Sequence, residues 1–124
     1  MVLVDTSVWV SHFRAANANL QGLLFKGQVI LHPFIIGELA CGNLKNRREI
    51  LSLLKALPLA QAATHEEALL LIENHRLMGL GLGYVDIHLL AAALLTDAPL
   101  WTSDKNLRDA AVRLQVAYKA IRMV

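Results

Sequence analysis

Four acidic side chains stand where acids are costly. Asp5 ends a short apolar run, Val2-Leu3-Val4, and Asp104 lies two residues beyond another, Leu100-Trp101-Thr102. Polar residues at the carboxyl ends of parallel strands face the crevice in which α/β proteins bind ligands. Asp86 sits at the start of the most apolar stretch of the chain, Val85-Asp-Ile-His-Leu-Leu-Ala-Ala-Ala-Leu-Leu95. Glu38 interrupts Phe34-Ile-Ile-Gly-Glu-Leu-Ala-Cys41. A lone acid in an apolar helix is costly unless it is capped, paired or bound to a metal. The chain has ten Asp and Glu, and the other six read as ordinary. Glu49, Glu66, Glu67 and Glu73 have basic or polar helical neighbours, Asp97 is in a turn, and Asp109 is on a polar helix face.

If the four converge, their chemistry is constrained. Two carboxylates about 4 Å apart repel by roughly 4 kcal/mol at an effective dielectric of about 20. Three or four together must bind protons or a multivalent cation. An all-oxygen set without Cys or obligatory His suits a hard cation, Mg²⁺ or Mn²⁺. A metal-bound water can attack a phosphodiester while the cation stabilises the leaving oxygen. Each acid also has a plainer reading. Asp86 would complement a helix dipole, Asp104 would cap a helix, and Glu38 would point to solvent.

The elements that must position these residues are legible in the pattern. Val2–Val4 reads as a strand, followed by a helix capped by Thr6 or Ser7 and carrying Val8, Trp9 and Phe13. A helix over 19–25 stops near Gly27, and residues 28–31 form a second strand candidate. Pro33 fits the first turn of a helix running to about Leu44. Residues 48–57 carry Ile50, Leu53, Leu54 and Leu57 at helical spacing, and Pro58 ends them. Residues 59–62 are a weak strand. Thr64 and Glu67 form a capping box for the next helix, and Gly79, Gly81 and Gly83 break the chain. Residues 85–95 are helical, 99–102 a strand, 104–114 a helix and 116–118 a last strand. Strands separated by helices predict one α/β domain over 1–124, three layers (α/β/α) with a mainly parallel sheet.

Composition bounds the rest. Hydrophobic residues make up 56% of 124 and charged residues 18%, which excludes an intrinsically disordered chain. Mean hydropathy is +0.46. No run of about 20 apolar residues survives the interrupting acids and histidines, so no membrane span is expected. MVLVDTSVW lacks a basic leader and a long apolar core, so no signal peptide is expected and the default compartment is the cytoplasm. The net charge of +2 is mild for a dedicated electrostatic DNA binder. The lone Cys41 cannot form an internal disulfide and is expected in the core.

Four blocks carry a family resemblance. They are Val2-Leu-Val-Asp-Thr-Ser-Val-Trp9, Ile36-Gly-Glu-Leu39, Gly83-Tyr-Val-Asp-Ile-His-Leu-Leu-Ala-Ala-Ala93 and Leu100-Trp-Thr-Ser-Asp-Lys-Asn-Leu107. The chain resembles, over essentially its whole length, the PIN-domain nucleases, and among them the VapC-type toxins of bacterial toxin–antitoxin pairs. The resemblance implies that Asp5, Glu38, Asp86 and Asp104 form the catalytic acidic quartet. Asp5, Asp86 and Asp104 would be the principal metal ligands, with Glu38 completing the site or orienting water. Ser7 and Thr102 would be supporting hydroxyls. It further implies Mg²⁺- or Mn²⁺-dependent endoribonuclease activity, a homodimer, and inhibition by a small VapB-like antitoxin that inserts a peptide near the site. His88 replaces a residue that is often small in such chains, and its role is open.

Weaker signals have bland alternatives. Lys45, Arg47, Arg48 and Lys105 are candidate RNA phosphate contacts, or simply a solvated face. Gly79-Leu-Gly-Leu-Gly83 lacks the Lys-Ser/Thr of a phosphate loop and reads as a helix stop. Trp9, Phe13, Phe34 and Trp101 belong to the core or a dimer surface, with Trp9 near enough to Asp5 in sequence to approach a base. His12 and His88 read as structural. Competing functions are a nuclease acting on DNA or in RNA processing outside a toxin–antitoxin pair, a receiver-like signalling domain, and a silent binding module. The receiver reading needs an adjacent acidic pair after the first strand, where Asp5-Thr6 offers one acid. A silent module gives no reason for four clustered acids.

Overall fold

The computed structural model describes residues 1–119. Strand β1 (Val2–Val4) has three consecutive buried residues, as a parallel strand covered on both faces requires. β2 (Val29–Ile30) and β3 (Leu100–Trp101) flank it in parallel, in the order β2-β1-β3. Leu3 lies opposite both Ile30 and Leu100, and Val4 opposite Trp101. The two expected outer strands shrink to single parallel bridges, Leu31 with Leu59 and Leu100 with Ala117. Each is held by a short ladder, such as Leu31 N–H to Pro58 O at 2.9 Å and Leu100 N–H to Val116 O at 2.7 Å.

Among the described residues seven helices flank this sheet. They are α1 (Thr6–Arg14), α2 (Ala18–Phe25), α3 (Pro33–Cys41), α4 (Arg47–Lys55), α5 (His65–His75), α6 (Tyr84–Thr96) and α7 (Lys105–Arg113). The α/β, three-layer architecture is the expected one. The core runs through Leu3, Leu31, Ile35, Leu39, Leu89, Leu90, Leu100 and Leu107, all at most 2% exposed. α6 is buried continuously from Ile87 to Ala93, which accounts for its near-uniform apolarity. No described helix is long and apolar enough to cross a membrane.

Several local expectations are corrected. Asp5, not Thr6 or Ser7, is the N-cap of α1, and its side chain makes no capping bond. Both hydroxyls are inside the helix and donate to carboxylates instead. α3 stops at Cys41, three residues short of Leu44, and Gly42 ends it in extended backbone. α4 likewise stops at Lys55 rather than at Leu57. Cys41 is exposed rather than in the core, because it falls on the last turn of α3. The Thr64–Glu67 capping box is present as read from sequence, with both of its hydrogen bonds. Gly81 has φ +75°, and a Cβ there would stand 2.6 Å from Asn106 Nδ2. The glycine loop therefore presses the approach to α6 against the first turn of α7, the two helices that carry Asp86 and Asp104.

Among the described residues one buried polar side chain is left over. His32 caps α3, its Nδ1 accepting from Phe34 N–H at 3.0 Å, which places the proton of the neutral ring on Nε2. Nε2 is buried and has no hydrogen-bond partner among the described residues. Burial, and then the neighbouring His88, lower the His32 pKa from 6.5. A depressed histidine pKa means that the unfolded chain takes up the proton first as pH falls. Stability is therefore complete above about pH 6.5 and declines below it. His32→Asn keeps a capping acceptor and removes the titrating ring. Acid unfolding of the variant, followed by circular dichroism, should be shallower below pH 6.5 by up to about 1.4 kcal/mol per pH unit.

Candidate active site

The site lies at the carboxyl edge of the sheet, and the strand register builds it. Pairing of Val4 with Trp101 brings the next residues, Asp5 and Thr102, side by side. Thr102 Oγ1 donates to Asp5 Oδ2 at 2.8 Å, and Ser7 Oγ donates to the same oxygen at 2.7 Å. The two hydroxyls are themselves fixed. Ser103 N–H donates to Ser7 Oγ at 3.0 Å, and Asp104 N–H to Thr102 Oγ1 at 3.1 Å. Asp5 is only 7% exposed, so this support replaces much of the water it has lost.

The other three acids arrive on separate helices. Glu38, on α3, accepts from Thr6 Oγ1 through Oε1 at 2.7 Å, which ties α3 to the first turn of α1. Asp86, in the first turn of α6, accepts from Gly83 N–H through Oδ2 at 2.9 Å. Asp104 caps α7, its Oδ1 accepting from Leu107 N–H at 2.9 Å. The capping reading of Asp104 and the solvent exposure of Glu38 are thus both real, and neither excludes a place in the site. In all four acids one oxygen is held by the protein. The other receives no hydrogen bond from a described residue.

Electrostatics ties the set together. Burial raises the Asp86 pKa, and its bond from Gly83 N–H opposes this. The charges of Asp104, Asp5 and Glu38 raise it further. Among the described residues no three His, Cys, Asp or Glu side chains close on one point as a finished metal cage. The donor set nevertheless fits Mg²⁺ or Mn²⁺. It is purely carboxylate, with one uncommitted oxygen per acid, and Mg²⁺ binds through one or two carboxylates while keeping several waters. A thiolate- or imidazole-loving metal finds no such set here.

The remaining candidates divide. Lys45 is exposed just before α4, Arg48 is exposed in its first turn, and Lys105 is exposed at the start of α7. Arg47 is engaged elsewhere, its guanidinium donating to Gly42 O and Ala40 O at the end of α3. Trp9 is buried, with Nε1 donating to Val4 O at 3.1 Å, so it belongs to the core. His12 accepts from Asn17 N–H. Sequence reasoning passed over Thr6 as a partner for Glu38, because nothing local links residues 32 positions apart. It also passed over His32, whose only signal is its place before Pro33.

Asp86 carries a stability consequence. An acid whose folded pKa is raised weakens the fold as pH climbs from 3.8, because the folded state holds its proton longer. Asp86→Asn removes that charge and keeps an acceptor for Gly83 N–H. In chelator at pH 7 the variant should melt a few degrees above the wild type. The difference should vanish by about pH 4 when the two melting curves are compared across pH.

With this geometry in view, comparisons with known proteins agree on the family. Residues 2–113 match the family model described as PIN domain. The chain is 48% identical over 118 residues to Ribonuclease VapC32 of Mycobacterium tuberculosis, covering 94% of this chain and 95% of that protein, in each of two strains. The crystal structure of PAE2754 from Pyrobaculum aerophilum superposes with a TM-score of 0.58 at 16% identity, over 92% of this chain and 88% of that one, a likeness of fold. The chain belongs to the PIN-domain family, in its VapC-type branch.

Proposed function

We propose that the protein is a Mg²⁺- or Mn²⁺-dependent endoribonuclease acting in the cytoplasm as the toxin of a toxin–antitoxin pair. The observation that carries this reading is that the charges of three other carboxylates, Asp5, Glu38 and Asp104, act together on Asp86. The ribonuclease name of the 48%-identical relative supports RNA as substrate. Bound divalent cation would supply a more acidic water and charge stabilisation at the phosphodiester. Asp5, Asp86 and Asp104 would hold it through their uncommitted oxygens. Ser7 and Thr102 fix Asp5 in place, so that its free oxygen needs no reorganisation. Glu38, anchored through Oε1 only, is left with Oε2 to orient water or accept its proton. Lys45, Arg48 and Lys105 are exposed and would grip phosphates, whereas Arg47 is committed to the end of α3.

The antitoxin and the dimer belong to the same proposal. A cavity of about 740 Å³ is lined by Val10, Phe13, Leu39, Lys45 and Ile50 and reaches Glu38. Its apolar residues, with Glu38 beside the basic Arg14 and Lys45, suit an antitoxin segment of apolar side chains with a charged side chain that pairs with them. A second copy would cover the face of α5 and α6, where Leu69, Leu70, Leu94 and Leu95 are exposed.

The test is cleavage of a mixed cellular RNA sample with Mg²⁺, with Mn²⁺ and with chelator. Wild type should cut RNA only with the cation. Asp86→Asn and Asp104→Asn should each lower the rate about 100-fold or more. Paired RNA and DNA oligomers of one sequence decide the substrate, and full RNA cleavage by folded Asp86→Asn, or in chelator, contradicts the reading.

A further inference from the structure

The residues around His88 form a feature that the acidic site does not use. His88 is 5% exposed. The Tyr84 ring meets it edge to face at 4.5 Å and 83°, and the Phe34 ring meets it at 5.1 Å and 77°. Both outer rings are open to solvent, Tyr84 at 45% and Phe34 at 40%. Both are also fixed. Tyr84 OH lies 2.5 Å from His65 Nδ1, and Phe34 packs on the buried His32 ring at 4.9 Å. The two rings stand on the helices that carry Glu38 and Asp86. Phe34 precedes Glu38 by one turn on the same side of α3, and side chains so spaced are neighbours. Tyr84 is two residues before Asp86 in the first turn of α6. Exposed aromatic rings held rigid, with a third ring buried between them, present π-faces at low cost in side-chain entropy. Splayed bases of single-stranded RNA stack on such rings.

We propose that Phe34 and Tyr84, braced by His88, form a nucleobase-stacking subsite that positions a base of single-stranded RNA beside the carboxylates. This assigns a role to His88: it is the buried brace that sets the two rings apart. A small residue at 88 would leave both unsupported. The inference rests on the ribonuclease reading for its ligand, and its test is separable from that reading.

The probe is an eight-nucleotide single-stranded RNA with one 2-aminopurine riboside, moved through the positions in turn and bound in chelator so that cleavage cannot occur. At one position, binding to wild type and to Tyr84→Phe should quench the 2-aminopurine. Tyr84→Ala and Phe34→Ala, both exposed sites checked for folding by circular dichroism, should lose the quench and bind about 5- to 100-fold more weakly. In the cleavage assay KM should rise by a similar factor with kcat less affected, and Tyr84→Phe should restore it. The subsite is overturned if wild type quenches at no position, or if the alanine variants quench as wild type does. It is equally overturned if they change oligomeric state while quenching is unaltered, which would make the rings a subunit contact. Quenching by a wild type that cuts no RNA with any divalent cation would leave the subsite standing and defeat the ribonuclease reading. Cleavage with unchanged KM in both alanine variants would do the reverse.

Discussion

Four carboxylates that repel one another must be held together by something other than mutual attraction, and most of the local structure serves that need. Two hydroxyls converge on one oxygen of Asp5. Thr6 takes one oxygen of Glu38, and backbone N–H groups take one oxygen each of Asp86 and Asp104. None of these partners carries a full positive charge, so they orient the acids without cancelling them. The residual strain appears at Asp86, whose proton is held more tightly because its carboxyl is partly buried and, further, because its neighbours are negative. A folded protein keeps such a site only where rigid elements impose it.

Those elements are few. A parallel sheet delivers the ends of β1 and β3 to one edge, and the pairing of Val4 with Trp101 sets Asp5 beside Thr102. The helices after the strands begin at that same edge, so Asp5 and Asp104 occur at helix starts, where backbone N–H groups are available. Asp104 uses one as a cap, whereas Asp5 gives up capping to accept from two hydroxyls. α6 contributes Asp86 at its half-buried first turn and buries everything from Ile87 to Ala93. The high apolar content of the chain is spent there and in the strands.

The sequence made the acids legible because each broke a local rule: an acid after an apolar strand, or one inside an apolar helix. Element order and parallel pairing followed from the alternation of short apolar runs with helical spacing. What stayed hidden depended on distant partners. Thr6 and Ser7 looked like helix caps, since Ser and Thr favour that position, and only the fold shows that carboxylates claim their hydroxyls. The outer strands at 59–62 and 116–118 carried enough apolar residues to be noticed, yet each pairs at one residue only. His32 and the aromatic group around His88 come from elements far apart in sequence, so spacing could not bring them together. Arg47 was indistinguishable from its basic neighbours until its contacts with the end of α3 were seen.

The central claim is that the four acids form one hard-cation site whose repulsion a divalent ion relieves. The most direct measurement is the thermal unfolding midpoint as a function of Mg²⁺ and Mn²⁺ concentration at neutral pH, for wild type and Asp5→Asn. A ligand that binds only the folded state raises the midpoint progressively with its concentration. The account predicts that rise in wild type and its loss or strong reduction in Asp5→Asn. A wild-type midpoint indifferent to both cations, or an equal rise in the two proteins, would contradict it.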